Sequence, residues 1–119
     1  MDETRLWEIL VPTVRRENGK PYTTRFHRVW DAKVRGISGG LTILQPAKGQ
    51  WVSPDDNELF EERMIPVRFI ATEEQKDRIA DMTCVYYDQL AVLCYAVGSR
   101  VTMRTLDEAK ANMKRQRNG

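Results

Sequence analysis

The order in which the hydrophobic period changes along the chain constrains its fold more than any other feature. Residues 6–11 (LWEILV) form an apolar run of β-forming residues, and the apolar positions of residues 23–37 then recur every three or four residues. The same succession returns in residues 64–71 and residues 72–90. A period of two predicts a strand, and a period near 3.6 predicts a helix. The sequence therefore predicts two successive units in which a strand is followed by a helix.

Residue types that favour helix ends mark both helices. Thr23 or Thr24 can cap the first helix by accepting a hydrogen bond from a free backbone amide. Residues 72–75 (TEEQ) have the sequence of a capping box, with two acids in the first turn of the second helix. The first helix is expected to end at Gly36, Gly39 and Gly40, and its apolar face is Phe26, Val29, Trp30, Val34 and Ile37. The predicted buried stripe of the second helix is Ile79, Met82, Tyr86 and Leu90.

Two further strands complete the pattern. Residues 41–44 predict a second strand, followed by a long hairpin connection that is rich in turn residues, and residues 91–97 predict the last strand. The order strand–helix–strand, taken twice, predicts an α+β fold of the ferredoxin-like type, βαββαβ. In that fold a four-stranded antiparallel sheet carries two helices on one face. We expect residues 1–106 to form this single domain and residues 107–119 to form a charged, helix-prone C-terminal tail.

The face of the sheet away from the helices is predicted to be apolar as well. An apolar surface of this kind is usually covered in a stable protein, so we expect a homodimer or a larger homo-oligomer. The side chains assigned to this face by alternation along the strands are Leu6, Leu10, Met64, Pro66, Ile70, Leu93, Tyr95 and Val97.

Composition excludes several classes of protein. The chain has 119 residues, of which 41% are apolar and 30% are charged, values typical of one globular domain. Residues 107–119 hold four basic and two acidic residues, which leaves fifteen of each in residues 1–106. Because residues 1–106 carry no excess of positive charge, the composition argues against a nucleic-acid partner. No apolar stretch is long enough to cross a membrane, and the acidic residues 1–5 do not resemble a signal peptide, so a cytoplasmic location is expected.

Metal and redox sites are not expected. Cys84 and Cys94 stand among apolar neighbours at a spacing that matches no metal or redox motif, which indicates reduced core thiols. His27 is the only histidine, so the usual zinc, iron and copper ligand sets are missing. We predict no cofactor. A carboxylate-bound magnesium or calcium ion is the weaker alternative, and its candidate ligands are Asp55, Asp56, Glu58, Glu61 and Glu62.

Three short motifs resemble a known family. The motifs are residues 40–43 (GLTI), residues 49–51 (GQW) and Glu61 or Glu62 before an apolar strand. In this order they resemble the GLT(V/I)…GQW…E signature of a family of small bacterial domains without an established activity. The resemblance covers residues 40–103, and it departs from the family at Ser38 and Gly39, where a basic residue, an aromatic residue and a proline would be expected. The resemblance implies the ferredoxin-like order and no particular chemistry.

The loop end of the predicted sheet is the candidate binding site. The first strand–helix loop, the hairpin and the start of the last strand are expected to meet there, together with the free amides at the start of the first helix. Cations, an aromatic ring and helix amides suit an anionic or nucleotide-like ligand. A solvated loop end is the alternative. The predicted ligand-binding residues are Arg15, Arg16, Lys20, Tyr22, Arg25, His27, Lys48, Gln50 and Trp51.

The sequence favours one function and leaves two alternatives open. The favoured function is a non-enzymatic homo-oligomer that binds a small anionic, nucleotide-derived ligand in order to regulate or sequester it. The first alternative is a small cofactor-independent enzyme resembling the dimeric α+β barrels, with His27, Tyr95 or Arg68 as acid, base or electrostatic stabiliser. The second alternative is a protein-binding or RNA-binding module that uses the open face of the sheet.

Overall fold

The computed structural model describes residues 3–118, which form three helices and one sheet. The first two helices and the strands β1, β2, β4 and β5 follow the predicted order. The elements are β1 (Arg5–Pro12), α1 (Thr24–Ser38), β2 (Thr42–Ile43), β3 (Ala47–Val52), β4 (Leu59–Ala71), α2 (Glu73–Tyr86), β5 (Cys94–Gly98) and α3 (Leu106–Asn118).

The sheet is antiparallel, with its strands in the order β2-β4-β1-β5. Alternate residues of β1 and β4 are buried, among them Ile9, Val11, Val67 and Phe69, and α1 and α2 pack against this face. This arrangement is the ferredoxin-like α+β fold, so the predicted fold class is confirmed. The sheet has five strands rather than four, because the long hairpin connection itself contains β3, which pairs with β4.

The predicted helix caps are present. The hydroxyl of Thr23 accepts a hydrogen bond from the amide of Phe26 at the start of α1. Thr72 and Gln75 exchange the two hydrogen bonds of a capping box at the start of α2. Gly39 ends α1 with φ of 90°, and its amide donates to the carbonyl of Arg35. These local contacts fix where each helix leaves the sheet.

The buried stripe of α2 differs in part from its prediction. Ile79 is fully buried, and Met82 and Tyr86 pack against the core. The helix ends at Tyr86, so Leu90 lies beyond it and is 87% exposed. Thr83 takes the fully buried position instead, because its hydroxyl accepts from the indole of Trp30 at 2.9 Å and donates to a carbonyl one turn earlier at 2.6 Å.

The β3–β4 hairpin extends beyond the rest of the sheet. The pairing of β1 with β4 ends at Pro12 and Met64, whereas the pairing of β3 with β4 continues to Val52 and Leu59. We call residues 47–62 the arm. Its outer part is paired only within the hairpin among the residues described. The arm accounts for part of the elongated shape of the molecule, which measures 65 × 31 × 27 Å.

The open face of the sheet has a polar centre that the strand pattern did not reveal. Glu8 accepts a hydrogen bond from Arg68 at 2.9 Å on one side and from the hydroxyl of Tyr95 on the other. Leu93, just before β5, and Val97, within β5, are exposed, and alternation places both on the same face as Tyr95. The C-terminal tail forms α3, which has no buried residue.

No helix in residues 3–118 is both long and apolar enough to cross a membrane.

Candidate functional site

A cleft between α1 and the sheet is the candidate functional site. Its volume is about 200 Å³, and it opens beside the short edge strand β2. One wall is polar and comes from α1, whereas the floor is apolar and comes mainly from the sheet. The wall consists of Thr24, His27, Arg28 and Asp31, and the floor consists of Val11, Trp30, Ile43, Ile65 and Val67.

The geometry of the two elements explains this division. Thr24, His27, Arg28 and Asp31 are spaced by three or four residues, so they share one side of a helix. The strands beneath them pair Val11 with Ile65 and Ile43 with Val67, which sets the floor as two adjacent rows. An apolar floor with a few converging polar groups is the usual composition of a small-molecule site.

His27 is held at the cleft by Tyr87. Its Nδ1 atom lies 2.7 Å from the hydroxyl oxygen of Tyr87, which is fully buried. Burial lowers the pKa of His27 below its ordinary value of 6.5, although the nearby carboxylate of Asp31 acts in the opposite direction. Burial also raises the pKa of Tyr87 far above its ordinary value, so its phenol stays protonated. The His27 ring is therefore neutral at pH 7.

Asp31 presents a carboxylate to the cleft. Burial raises its pKa above the ordinary value of 3.8. His27, in its protonated form, and the permanent positive charges of Arg35 and Arg28 counteract this rise. Within residues 3–118 its carboxylate makes no hydrogen bond and no ion pair closer than 4 Å. Partial burial next to an apolar floor makes such a group a good acceptor for a ligand, because it has few competing partners.

The structure uses three of the predicted binding residues for internal contacts. The guanidinium of Arg15 lies over the ring of Tyr22, 4.7 Å from its centroid. The buried hydroxyl of Tyr22 donates to the carbonyl of Tyr87 at 2.5 Å. Arg16 donates to the backbone carbonyl and the carboxylate of Asp88. These contacts tie the first loop to the end of α2, and they leave Tyr22 no surface for stacking a ligand.

The other predicted residues divide into two groups. Lys20 and Arg25 are exposed near the start of α1, and His27 reaches the cleft. Lys48, Gln50 and Trp51 lie on the arm instead.

Contacts within the arm account for all three of these side chains. Lys48 and Gln50 both reach the carboxylate of Glu61, at 3.5 and 2.7 Å, and Trp51 stacks on Phe60 with 4.6 Å between ring centroids. Within the part of the chain that the structure describes, these contacts do not connect the arm side chains with the first loop.

Three residues of the cleft wall were not predicted from the sequence as binding residues: Asp31, Arg28 and Thr24. The signal for them was present in their spacing from His27, since residues three and four apart lie on one side of a helix. Tyr87 was also missed as a functional residue, because its contact with His27 joins positions sixty residues apart. The sequence alone gives no indication of such a pairing.

The candidate residues of the enzyme alternative lie in two separate places. Arg68 and Tyr95 both contact Glu8 on the open face of the sheet. His27 lies on the opposite side, where α1 covers the sheet. The three side chains therefore do not form one site within a chain.

The structure bears on possible metal ligands and on the two cysteines. Across residues 3–118 no three of the histidine, cysteine, aspartate and glutamate side chains are close enough to hold a metal ion. Both cysteines are free and partly buried, and burial raises the pKa of Cys94 to about 11. Cys94 is therefore a protonated thiol at neutral pH.

Comparisons with known proteins show the architecture of the chain. No family model matches the sequence, and no curated protein matches it. The divalent cation tolerance protein CutA1 of Thermus thermophilus superposes with a TM-score of 0.61 at 8% identity, over 90% of this chain and 92% of that one. CutA1 of the psychrotrophic bacterium Shewanella sp. SIB1 superposes with a TM-score of 0.62 at 9% identity, over 95% of this chain and 94% of that one.

A phage enzyme shares the same architecture. A phage SAM lyase in complex with S-methyl-5′-thioadenosine superposes with a TM-score of 0.59 at 11% identity, over 87% of this chain and 95% of that one. Identities of 8–11% reflect a shared architecture and carry no information about ligands. The comparisons therefore show that this chain has the ferredoxin-like fold of the CutA1 proteins.

Proposed function

We propose that the protein is a homo-oligomer that binds a small, anionic, nucleotide-derived ligand in the cleft beneath α1, without turning it over. The observation that carries this proposal is that a neutral His27 and the carboxylate of Asp31 both line the polar wall of a cleft with an apolar floor. A regulatory or sequestering role follows from binding without catalysis.

The dimensions of the cleft suit part of a nucleotide. Ligand sites for drug-sized molecules span about 300–1,000 Å³, whereas this cleft measures about 200 Å³. Its polar wall spans residues 24–31, which are eight residues of helix with about 10 Å between the first and the last. A base with its sugar fits the length of this wall. The volume of the cleft in one chain is nevertheless too small to enclose such a ligand. A neighbouring copy at the edge strand β2, distinct from a copy packed on the open face, would complete the enclosure in a larger oligomer.

Positive charge lies at one end of the same wall. Arg28 lines the cleft, and Arg25 is exposed one turn closer to the start of α1. The first amides of a helix carry partial positive charge and favour anions. We place the anionic group of the ligand at this end, near Thr24, and the uncharged part next to Asp31.

Self-association is the second component of the proposal. The open face carries apolar side chains around Glu8, whose charge is already balanced by Arg68. A paired charge can be buried at an interface at lower cost than an unpaired one. A second copy of the chain is the partner that such a self-complementary apolar face would take.

The comparisons show the fold and do not identify a ligand class for this chain. The phage SAM lyase with the same fold was solved with S-methyl-5′-thioadenosine, which is a nucleoside derivative. The CutA1 proteins are described as divalent cation tolerance proteins, and that role is not part of this proposal.

Calorimetry with a matched pair of variants tests ligand binding. Adenosine monophosphate should bind to the native protein, and replacing Arg28 by Gln should weaken binding by roughly tenfold or more, because a charge-assisted hydrogen bond is lost. Replacing the exposed Arg78 of α2 by Gln is the control, and it should have no effect. Equal loss in both variants would indicate non-specific attraction and contradict the placement of the ligand.

Catalysis is the second candidate function, because the phage protein with this fold is a lyase. The protein would be incubated with SAM and the products separated by chromatography. Product formation that disappears in a folded His27→Ala variant would replace the binding proposal by an enzymatic one. An unchanged SAM concentration over many hours supports binding without turnover.

A further inference from the structure

The buried hydroxyl of Tyr87 defines the hydrogen-bonding state of the cleft. Tyr87 is 0% exposed, and in the described chain Nδ1 of His27 is the only partner of its hydroxyl. A buried hydroxyl without an acceptor for its proton destabilises the folded protein. The phenol of Tyr87 must therefore donate a hydrogen bond to Nδ1. His27 then carries its own proton on Nε2.

The groups around His27 agree with this assignment. Asp31 and Arg28 approach it from α1, and Tyr22 approaches it from the first loop with 6.0 Å between ring centroids. Protonating Nδ1 would leave the Tyr87 hydroxyl proton without an acceptor in the core. The neutral ring with a proton on Nε2 is therefore the stable form.

Asp31 supplies the complementary group. It follows His27 by four residues, so the two side chains are neighbours on one face of α1. Both residues line the cleft. In this tautomer they carry one hydrogen-bond donor, Nε2–H of His27, and one acceptor, the carboxylate of Asp31. Together the two groups complement an edge that carries an acceptor beside a donor.

We infer that His27 and Asp31 recognise the amino-imine edge of a nucleobase, in which a ring nitrogen accepts from His27 and the adjacent amino group donates to Asp31, with Tyr87 as the positioning residue. Adenine and cytosine present this edge, since each has an exocyclic amino group beside an unprotonated ring nitrogen. The anionic group held near Thr24 fixes the orientation of the base. In that orientation hypoxanthine and uracil present the two groups in reverse order, so that a carbonyl oxygen faces the Asp31 carboxylate and a ring N–H faces His27.

This inference rests on the proposed binding of a nucleotide-derived ligand in the cleft, and calorimetry with two matched nucleotide pairs separates the two claims. The native protein is titrated with adenosine and inosine monophosphates, and with cytidine and uridine monophosphates. The amino-bearing member of at least one pair should bind roughly tenfold or more tightly, because its analogue leaves two polar groups unpaired. Binding without preference in either pair overturns the recognition of the base and leaves the proposed function standing. If none of the four nucleotides binds, both claims fail.

A substitution at Asp31 tests which side chain discriminates. Asp31→Asn keeps the shape of the side chain and removes the carboxylate, and its amide can rotate to donate or accept. We expect the preference for the amino-bearing nucleotide to fall by about tenfold while inosine monophosphate binds no more weakly than before. An unchanged preference would assign the discrimination to another group and overturn the inference.

Nuclear magnetic resonance tests the role of Tyr87 directly. His27 is the only histidine in the chain, so its ring ¹⁵N signals need no assignment. At pH 7.5 the native protein should show the Nε2–H tautomer, and an Nδ1–H tautomer would overturn the inference without any variant. In Tyr87→Phe the ring should lose this preference and titrate at a higher pH, whereas a purely structural Tyr87 would leave the tautomer unchanged.

Discussion

Among residues 3–118, Glu8 is the one buried charged residue, and it lies at the centre of the open sheet face. The hydrogen bond from Tyr95 lowers its pKa most strongly, burial acts in the opposite direction, and Arg68 lowers it further. The net result is a pKa below the ordinary value of 4.5. The charged form is therefore favoured in the folded protein.

This shift predicts a loss of stability in acid. A carboxyl group whose pKa is lowered by folding stabilises the protein above its unfolded pKa, and this contribution is lost as the pH falls through the folded value. Urea unfolding at pH 7 and pH 3 should show a smaller pH dependence for Glu8→Gln than for the native protein, by on the order of 1 kcal/mol. Glu62→Gln, at an exposed position of the arm, is the control and should keep the native dependence. Parallel curves for all three proteins would contradict the assignment.

The limits of sequence reasoning at this scale follow from distance along the chain. The apolar residues of β1 were assigned to the correct face, because alternation is a local property. Glu8 interrupts an apolar run, and its partners Arg68 and Tyr95 are 60 and 87 residues away. Pairings across such distances depend on strand register, which a single sequence does not specify.

Helix ends were predictable because their chemistry is local. Thr23 and the capping box of α2 formed as their sequences indicated. The strand β3, which pairs with β4, was not predictable in the same way. Residues 47–52 contain glycine and lack apolar alternation, and they form β3 because Gln50 and Trp51 pair with Glu61 and Phe60 across the arm. The pair of Gln50 with Glu61 joins the GQW and E positions of the family signature, and membership of that family stays a prediction.

Two glycines of α1 should respond to alanine in opposite directions. Gly39 has φ of 90°, a conformation that costs an L-residue about 1–2 kcal/mol. Gly36 lies within the helix, and a methyl group there would meet no atom within 4 Å. Denaturant unfolding should show that Gly39→Ala destabilises the protein by about 1 kcal/mol. Gly36→Ala should stabilise it by about 0.5–1 kcal/mol, because alanine loses less conformational freedom. Effects of the same sign would show that α1 does not end at Gly39.

Across the whole molecule, the fold was predictable and the site was only partly so. The order of periodic segments sufficed for the ferredoxin-like arrangement, because few topologies accommodate two strand–helix–strand units. The cleft depends on how α1 is rotated over the sheet, and that rotation comes from contacts such as Trp30 with Thr83 and His27 with Tyr87. Of the nine predicted binding residues His27 lines the cleft, while Lys48, Gln50 and Trp51 belong to the arm. The binding roles of all nine stay predictions.

The assembly of the molecule can be tested on the open face. Leu93 is 59% exposed and lies two residues before Tyr95, so alternation places both on that face. Native mass spectrometry of the unmodified protein should show a dimer or a larger oligomer. Leu93→Lys should shift the distribution to monomer at the same concentration, since burying an unpaired ammonium at an interface is strongly unfavourable. Val85→Lys, at an 82% exposed position of α2, is the matched control and should leave the oligomer intact.

Either of two results would contradict this model of assembly, and they have different consequences for the site. A native protein that is monomeric at micromolar concentration would remove the second copy that the cleft of about 200 Å³ requires for enclosure. An oligomer that dissociates with Val85→Lys instead would move the interface to the helical side of the molecule, next to α2. In that case a partner would still complete the cleft, and the open face around Glu8 would face solvent in the oligomer.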